Sequence, residues 1–306
     1  MTRASQSSIG PSKLAREFWL RGRVADCPVI DMHGHMGPWK GIYFPRAEPE
    51  EMLRSMDSAG VRMLVFSHHA ALFAPDVGNS AAVEAVRRHP DRFRAYLAVN
   101  PHYPEAVARD LDGFDDHRDV FVGLKFLASY HKVALTDPRY RRAWEFADER
   151  GLLVLSHTWG GSSFDGPAQV GAMARRYKRL TLLAGHSFHA DWDAAVGIAR
   201  ECPNVYLELT AVLDDRGAVE KLAANVGSER MLFGTDLPWF DPHHGIGALL
   251  SADIADGDRR NILYRNAERL LAPFLTKRGT GEASRLVLRP DVSGLRRAGP
   301  EERDRK

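Results

Sequence analysis

Ligand-type side chains recur in this sequence at the ends of short apolar runs. The first is Asp31-Met32-His33-Gly34-His35, with two histidines two residues apart. On an extended segment, residues i and i+2 point to the same side, so both imidazoles can reach one cation. With 13 histidines in 306 residues, one such pair carries little weight by itself. The pattern sharpens further along, where Lys125 stands in GLKFL, His157 in LLVLSHTW, His186 in LTLLAGHSF and Asp236 in MLFGTDLPW. A lone histidine on an apolar face is ordinarily a hydrogen-bonded core residue. His33, His35, His157, His186 and Asp236 come from four separate runs, and together they have the donor chemistry of a divalent-metal site.

Such donors need a frame that brings strand ends together. Apolar, β-branched runs at 28–33, 61–67, 93–100, 121–127, 152–157, 180–186, 205–209 and 231–236 read as strands buried on both faces. Helical segments with legible ends lie between them. One starts acidic near 48 and stops at Gly60; another opens on Asp137-Pro138 and runs to Gly151. Segments from Asp191 and Asp214 also begin on acidic residues, and 258–274 repeats apolar residues at helical spacing. Eight strands alternating with eight helices from Ile30 to Leu271 fit the single-domain (β/α)8 TIM barrel of about 250 residues. The doubly wound alternative lacks a G-x-G-x-x-G loop at the first strand–helix junction. A barrel carries its active site at the C-terminal ends of its strands, where the ligand-type residues fall. The expected organisation is a polar arm over 1–24 with an amphipathic piece at 14–20, a barrel over 25–275, and a mixed-charge tail over 276–306.

Composition narrows the partners. Lys plus Arg number 42 against 40 Asp plus Glu, so no basic field for nucleic acid exists. Apolar runs are strand-sized, too short for a membrane span, and the N-terminus has no secretory apolar region. Two cysteines, Cys27 and Cys202, cannot make a disulfide scaffold, and both precede strands at the rim opposite the strand ends. A cytoplasmic protein acting on a small molecule is expected, with neither nucleic acid nor membrane as partner. A homo-oligomer is compatible with this, but no residue pattern sets the number of subunits.

The DMHGH, GLKF, SHTW, GHSF and GTDLPW segments, in this strand order, resemble the amidohydrolase superfamily. The nearest resemblance is to its amidohydrolase-related (amidohydrolase 2) branch, which holds hydrolases and non-oxidative decarboxylases. It runs over the whole barrel to the closing NILYRNAERLL helix and leaves both terminal arms aside. It implies His33, His35 and Asp236 as ligands of a first metal ion, usually zinc, with His157 and His186 nearby. In binuclear members a carboxylated lysine on the fourth strand, the place of Lys125, bridges two ions, and His157 and His186 would hold the second. In mononuclear members the fifth-strand histidine joins the first ion, while the sixth-strand histidine polarises substrate or moves protons. Decarboxylases of the branch generally lack the fourth-strand lysine. Lys125 therefore directs the reading to a metal-dependent hydrolase that uses a metal-activated water on an amide, lactone or other carbonyl bond. Its alternative is a mononuclear decarboxylase or hydratase of an aromatic or unsaturated acid, with Lys125 as a buried anchor for the carboxylate.

In the hydrolytic reading Zn2+ lowers the pKa of bound water toward about 7. Asp236 takes the water's proton and passes it to the leaving group, and His186 supports the oxyanion. His and Asp donors equally accept Mn2+, Fe2+ or Co2+. Asp31 reads as a structural residue that orients a ligand histidine, and Glu208 on the seventh strand either as a side chain reaching the barrel mouth or as an internal hydrogen-bond partner. Loop aromatics at the mouth include Trp39, Tyr43, Phe44, Trp159, Phe164, Phe188, Trp239 and Phe240. Trp39, Trp159 and Trp239, with His68 directly after Ser67, are the expected substrate contacts. His69, His102, His131, His189, His243 and His244 read as ordinary loop residues. A metal-dependent deoxyribonuclease of the same superfamily would place glutamate where Lys125 stands. A barrel that had lost catalysis would be expected to lose a ligand first, and none is missing.

Overall fold

The computed structural model describes residues 12–212 and 215–275. Its eight strands are β1 (Val29–Met36), β2 (Val61–His68), β3 (Phe93–Val99), β4 (Phe121–Phe126), β5 (Leu153–Trp159), β6 (Thr181–His189), β7 (Val205–Glu208) and β8 (Met231–Leu232). They form one parallel sheet in sequence order. The seam is closed by backbone bonds from Met32 N–H to Phe233 O, Asp236 N–H to His33 O and His35 N–H to Leu237 O. Helices follow the strands, giving the (β/α)8 TIM barrel.

Helix ends follow local chemistry. Pro49–Ala59 carries proline in its first turn and stops at Gly60, whose φ of 78° a side chain would resist. The Asp191 carboxylate accepts from Ala194 N–H at the start of Trp192–Glu201. The helix expected from position 214 is observed as Ala218–Val226, and residue 214 itself lies outside the described residues. The amphipathic piece of the N-terminal arm is the helix Lys13–Arg21, which buries Leu14 and Phe18. It packs beside the helix Pro242–Ser251, where Phe18 meets His243. The rest of the arm, 1–11, and the tail, 276–306, lie outside the described residues.

Side-chain alternation divides the core into two layers. Ile30, Met32, Met63, Val65, Tyr96, Val122, Leu153, Leu155, Leu183 and Leu232 fill the barrel interior, with Ala267 and Leu271 of the last helix. Their neighbours, such as Leu64, Phe66, Val154, Leu182 and Ala184, face the helices.

Three breaks in this alternation re-aim the site. In β1, Asp31 pairs with Leu64 but Gly34 with Phe66, so one extra residue sits on β1. Ile30 and Met32 point inward before this bulge, and His33 and His35 point inward after it. In β4, Ala95 pairs with Phe121 and Tyr96 with Gly123, an insertion at Val122 that turns Lys125 inward. In β6, alternation from Leu182 and Ala184 would send His186 outward. Instead His186, Ser187 and Phe188 adopt left-handed φ of 67°, 48° and 57°. Such non-glycine residues cost of order 1–3 kcal/mol each. They are held by Phe188 N–H to Thr158 Oγ1 at 2.9 Å and by Ser187 Oγ–H to Glu208 O at 2.8 Å.

Candidate metal centre and substrate cavity

The re-aimed side chains meet at the C-terminal mouth of the barrel. Donor atoms of His33, His186 and Asp236 lie within 4.8 Å of one another. Asp236 Oδ1 is 3.3 Å from His33 Nε2 and 3.2 Å from His35 Nε2. Asp236 itself has a left-handed φ of 62°, which folds its carboxylate back over β1. His157 joins from β5, its ring centroid 4.8 Å from that of His186. Lys125 Nζ donates to His33 Nε2 at 2.7 Å.

The far sides of three imidazoles are fixed. His33 Nδ1–H donates to Glu208 Oε2 at 2.7 Å, both side chains being fully buried. Glu208 Oε1 accepts from Thr210 N–H and Oγ1–H at 2.7 and 2.6 Å. The carboxylate fits because position 234 is glycine, where a Cβ would come within 2.1 Å of Glu208 Oε1. His35 Nδ1 lies 3.2 Å from Ser67 Oγ, and His157 Nδ1–H donates to Asp165 Oδ2 at 3.0 Å. These Nδ1 contacts leave the Nε2 atoms to face the cavity, the arrangement that histidine ligands require. Asp31 accepts from His33 N–H and Thr235 N–H and so pins the β1 bulge to the segment after β8.

The electrostatics fit a cation. Burial, then the Lys125 charge, push His33 and His35 well below the ordinary imidazole range, and burial does the same to His186. Burial raises Asp236, but His33, His186, Lys125 and His157 outweigh it and hold the carboxyl below its usual range. Burial brings Lys125 down to about 8 and raises Glu208 to about 8. Asp236 Oδ1 and His186 Nδ1 are buried without a hydrogen-bond partner. Neutral imidazole lone pairs crowded on an unpartnered carboxylate oxygen are costly alone and are satisfied by a divalent ion.

Above these groups is a cavity of about 170 Å3, walled by Trp39, Tyr130, Trp159, Trp239 and Phe240. The three expected tryptophans are therefore brought to the site. Trp159 stacks on His189 with centroids 4.5 Å apart, and Trp39 packs edge-on to Trp239 and Tyr130. Tyr43 is 87% exposed, whereas Phe188 is fully buried in the layer beneath the helices. His68 is not brought to the cavity: its Nδ1 accepts from Ala70 N–H and its ring lies against Gly37. The adjacent His69 lines the cavity instead. Its Nδ1–H donates to Gly37 O at 2.6 Å, its Nε2 accepts from Trp239 Nε1–H at 3.0 Å, and its ring stacks on His35. Alternation from Met63 and Val65 already points Ser67 inward and His68 outward. Asp165 was not singled out in the sequence, since nothing in SSFDGP distinguishes it from a turn residue. His102 and His131 hold loop backbone through His131 O and Leu72 O.

A family model described as amidohydrolase matches residues 30–272. No curated protein matches the sequence. Among solved structures, an uncharacterised TIM-barrel protein from Bordetella bronchiseptica is similar with a TM-score of 0.68 at 19% identity, covering 81% of this chain and 99% of its own. A dihydroxybenzoic acid decarboxylase from Polaromonas sp. JS666, with bound manganese and 2-nitroresorcinol, gives 0.65 at 18% identity over 81% and 99%. A 5-carboxyvanillate decarboxylase from Novosphingobium aromaticivorans, complexed with manganese, gives 0.64 at 14% identity over 88% and 99%. At these identities the likeness is one of fold. Among the described residues no helix is long and apolar enough to cross a membrane.

Proposed function

The chain belongs to the amidohydrolase family, and from that premise we propose that it is a metal-dependent decarboxylase of a small aromatic carboxylic acid. The observation that carries this reading is Lys125, a fully buried cation on the floor of a narrow, aromatic-walled cavity. A buried ammonium calls for an anion, and a substrate carboxylate supplies one. The solved decarboxylases of the same fold favour this reaction over the hydrolysis that Lys125 suggests from its strand position.

His33, His35 and Asp236 would hold the ion, with His157 as a further imidazole donor. A divalent cation there supplies positive charge that steadies negative charge developing on the substrate. The chain's own groups do the rest. Lys125 Nζ binds the carboxylate, while Trp39 and Trp159 hold the ring between them and exclude water. His186, whose buried Nδ1 has no partner, passes a proton from solvent to the ring carbon and returns to the neutral form that burial favours. The bond from that carbon to the carboxylate then breaks, its electron pair returns to the ring, and carbon dioxide leaves.

Hydrolysis stands as the second reading, because Lys125 lies on the strand that carries the carboxylated lysine of binuclear relatives. One experiment separates the two. Native mass spectrometry counts metal per chain, and the same protein is incubated with hydroxybenzoates, amides, lactones and esters. One ion and carbon dioxide release from an aromatic acid is the expected result. Two ions, a lysine adduct of carbon dioxide, and cleavage of an amide or lactone without such release would overturn the decarboxylase reading.

A further inference from the structure

Asp165 lies in the loop between β5 and the helix Pro167–Arg176 and is fully buried. We propose that Asp165 is a positioning residue, whose carboxylate holds His157 as the Nδ1–H tautomer and so presents the Nε2 lone pair to the cavity. Its Oδ2 lies 3.0 Å from His157 Nδ1, closer than Ser129 Oγ at 3.2 Å, and also accepts from Ser129 N–H at 3.1 Å. Among the described residues its ion-pair partner is His157. Among the described residues no lysine or arginine pairs with this buried carboxylate, which is expensive, so its bonds to His157 and Ser129 must repay that cost.

The loop is built around this contact. Ser162 Oγ accepts from both Phe164 N–H and Asp165 N–H, and Ser162 N–H donates to Trp159 O. Leu135 N–H donates to Phe164 O, tying the loop to the segment after β4. Position 166 must be glycine, since a Cβ there would stand 2.2 Å from Ser162 O. The backbone thus closes tightly and aims one carboxylate at one ring nitrogen. A carboxylate accepts and cannot donate, so it selects the tautomer; an amide in its place can donate to Nδ1 and select the other.

The tautomer stands apart from the reaction, while its effect on turnover rests on the decarboxylase reading. The test uses the full chain labelled with 15N-histidine, metal-free and zinc-loaded. Long-range 1H–15N spectra read the tautomer, with His157 assigned by its loss in His157→Gln. The wild type is expected to carry its proton on Nδ1. Asp165→Asn is expected to move it to Nε2, to weaken zinc binding about ten- to a hundredfold, and to lower kcat on any acid found to be a substrate. Ser129→Ala is expected to leave the tautomer unchanged and zinc affinity within about threefold, as a partner secondary to the carboxylate should. A wild-type proton on Nε2, an unchanged tautomer in Asp165→Asn, or an equal shift in Ser129→Ala would each overturn the proposal. The wild-type spectrum decides the first point even if Asp165→Asn does not fold. Absence of turnover on every acid would count against the decarboxylase reading and leave the spectra to judge Asp165.

Discussion

Replacing Lys125 by methionine should make the metal-free protein more stable and the enzyme inactive. The ammonium is fully buried, and burial lowers it from 10.5 to about 8, even with Asp236, Glu208 and Asp165 acting the other way. That difference is worth roughly 3 kcal/mol, on the scale of about 1.4 kcal/mol per tenfold change in proton affinity. Below about pH 8 both the folded and the unfolded chain hold the proton, so the whole penalty is present. Between about 8 and 10.5 the unfolded chain keeps it and the folded chain does not, so wild-type stability rises with pH. Methionine matches the unbranched shape and removes the charge, but it also loses the 2.7 Å bond to His33 Nε2, worth about 1 kcal/mol. The expected net gain near neutral pH is thus about 2 kcal/mol, shrinking as pH rises through that window. Urea denaturation of metal-free wild type and variant, near pH 7 and again near pH 10, measures both numbers. A variant less stable than wild type near pH 7, or a gap that does not close with pH, would refute the argument. Carbon dioxide release by the variant at the wild-type rate would remove Lys125 from substrate binding.

Glu208→Gln offers His33 a donor where it now has an acceptor, and should weaken metal binding by about 10- to 100-fold in a chelator competition. An affinity within about threefold of wild type would show that Glu208 does not set the His33 tautomer. Gly234→Ala should act in the same direction, because the new Cβ displaces the Glu208 carboxylate, and the same titration reads it. Phe18→Ala should cost about 3 kcal/mol in a thermal or urea melt, as expected for a buried ring. A loss below about 0.5 kcal/mol would mean that the N-terminal helix contributes little to the fold.

The barrel was legible because buried parallel strands read as short apolar runs and because proline, glycine and acidic caps mark the helices between them. The candidate donors were legible because imidazole and carboxylate stood at strand ends. What stayed hidden was how each side chain reaches the interior. The bulges at Asp31–Gly34 and Val122 depend on pairing with β2 and β3, which a single strand does not reveal. The left-handed turn at His186 depends on Thr158 and Glu208, distant in sequence. His68 was an error of a different kind, since strict alternation along β2 would have rejected it. Asp165 and Glu208 matter through the ring nitrogens they touch, and contact is not a property of composition. Strand β8 is only Met231–Leu232, shorter than the 231–236 run, because the backbone beyond it turns to place Asp236.

The seam of the barrel is also the wall of the candidate metal centre. The bonds that close it join His33, His35 and Met32 of the first strand to residues beyond the last, and Asp31 reaches Thr235 across 204 positions. During synthesis, a chain that has not yet emitted β8 holds four of the histidines but lacks the carboxylate of Asp236 and the backbone partners of β1. Such a chain cannot present the full donor set. An ion held between the two ends, as proposed, would act as a clasp on the finished ring and stabilise the closed barrel by its own binding free energy. Metal occupancy would then follow closure of the ring, and removing the ion would withdraw that binding free energy from the seam.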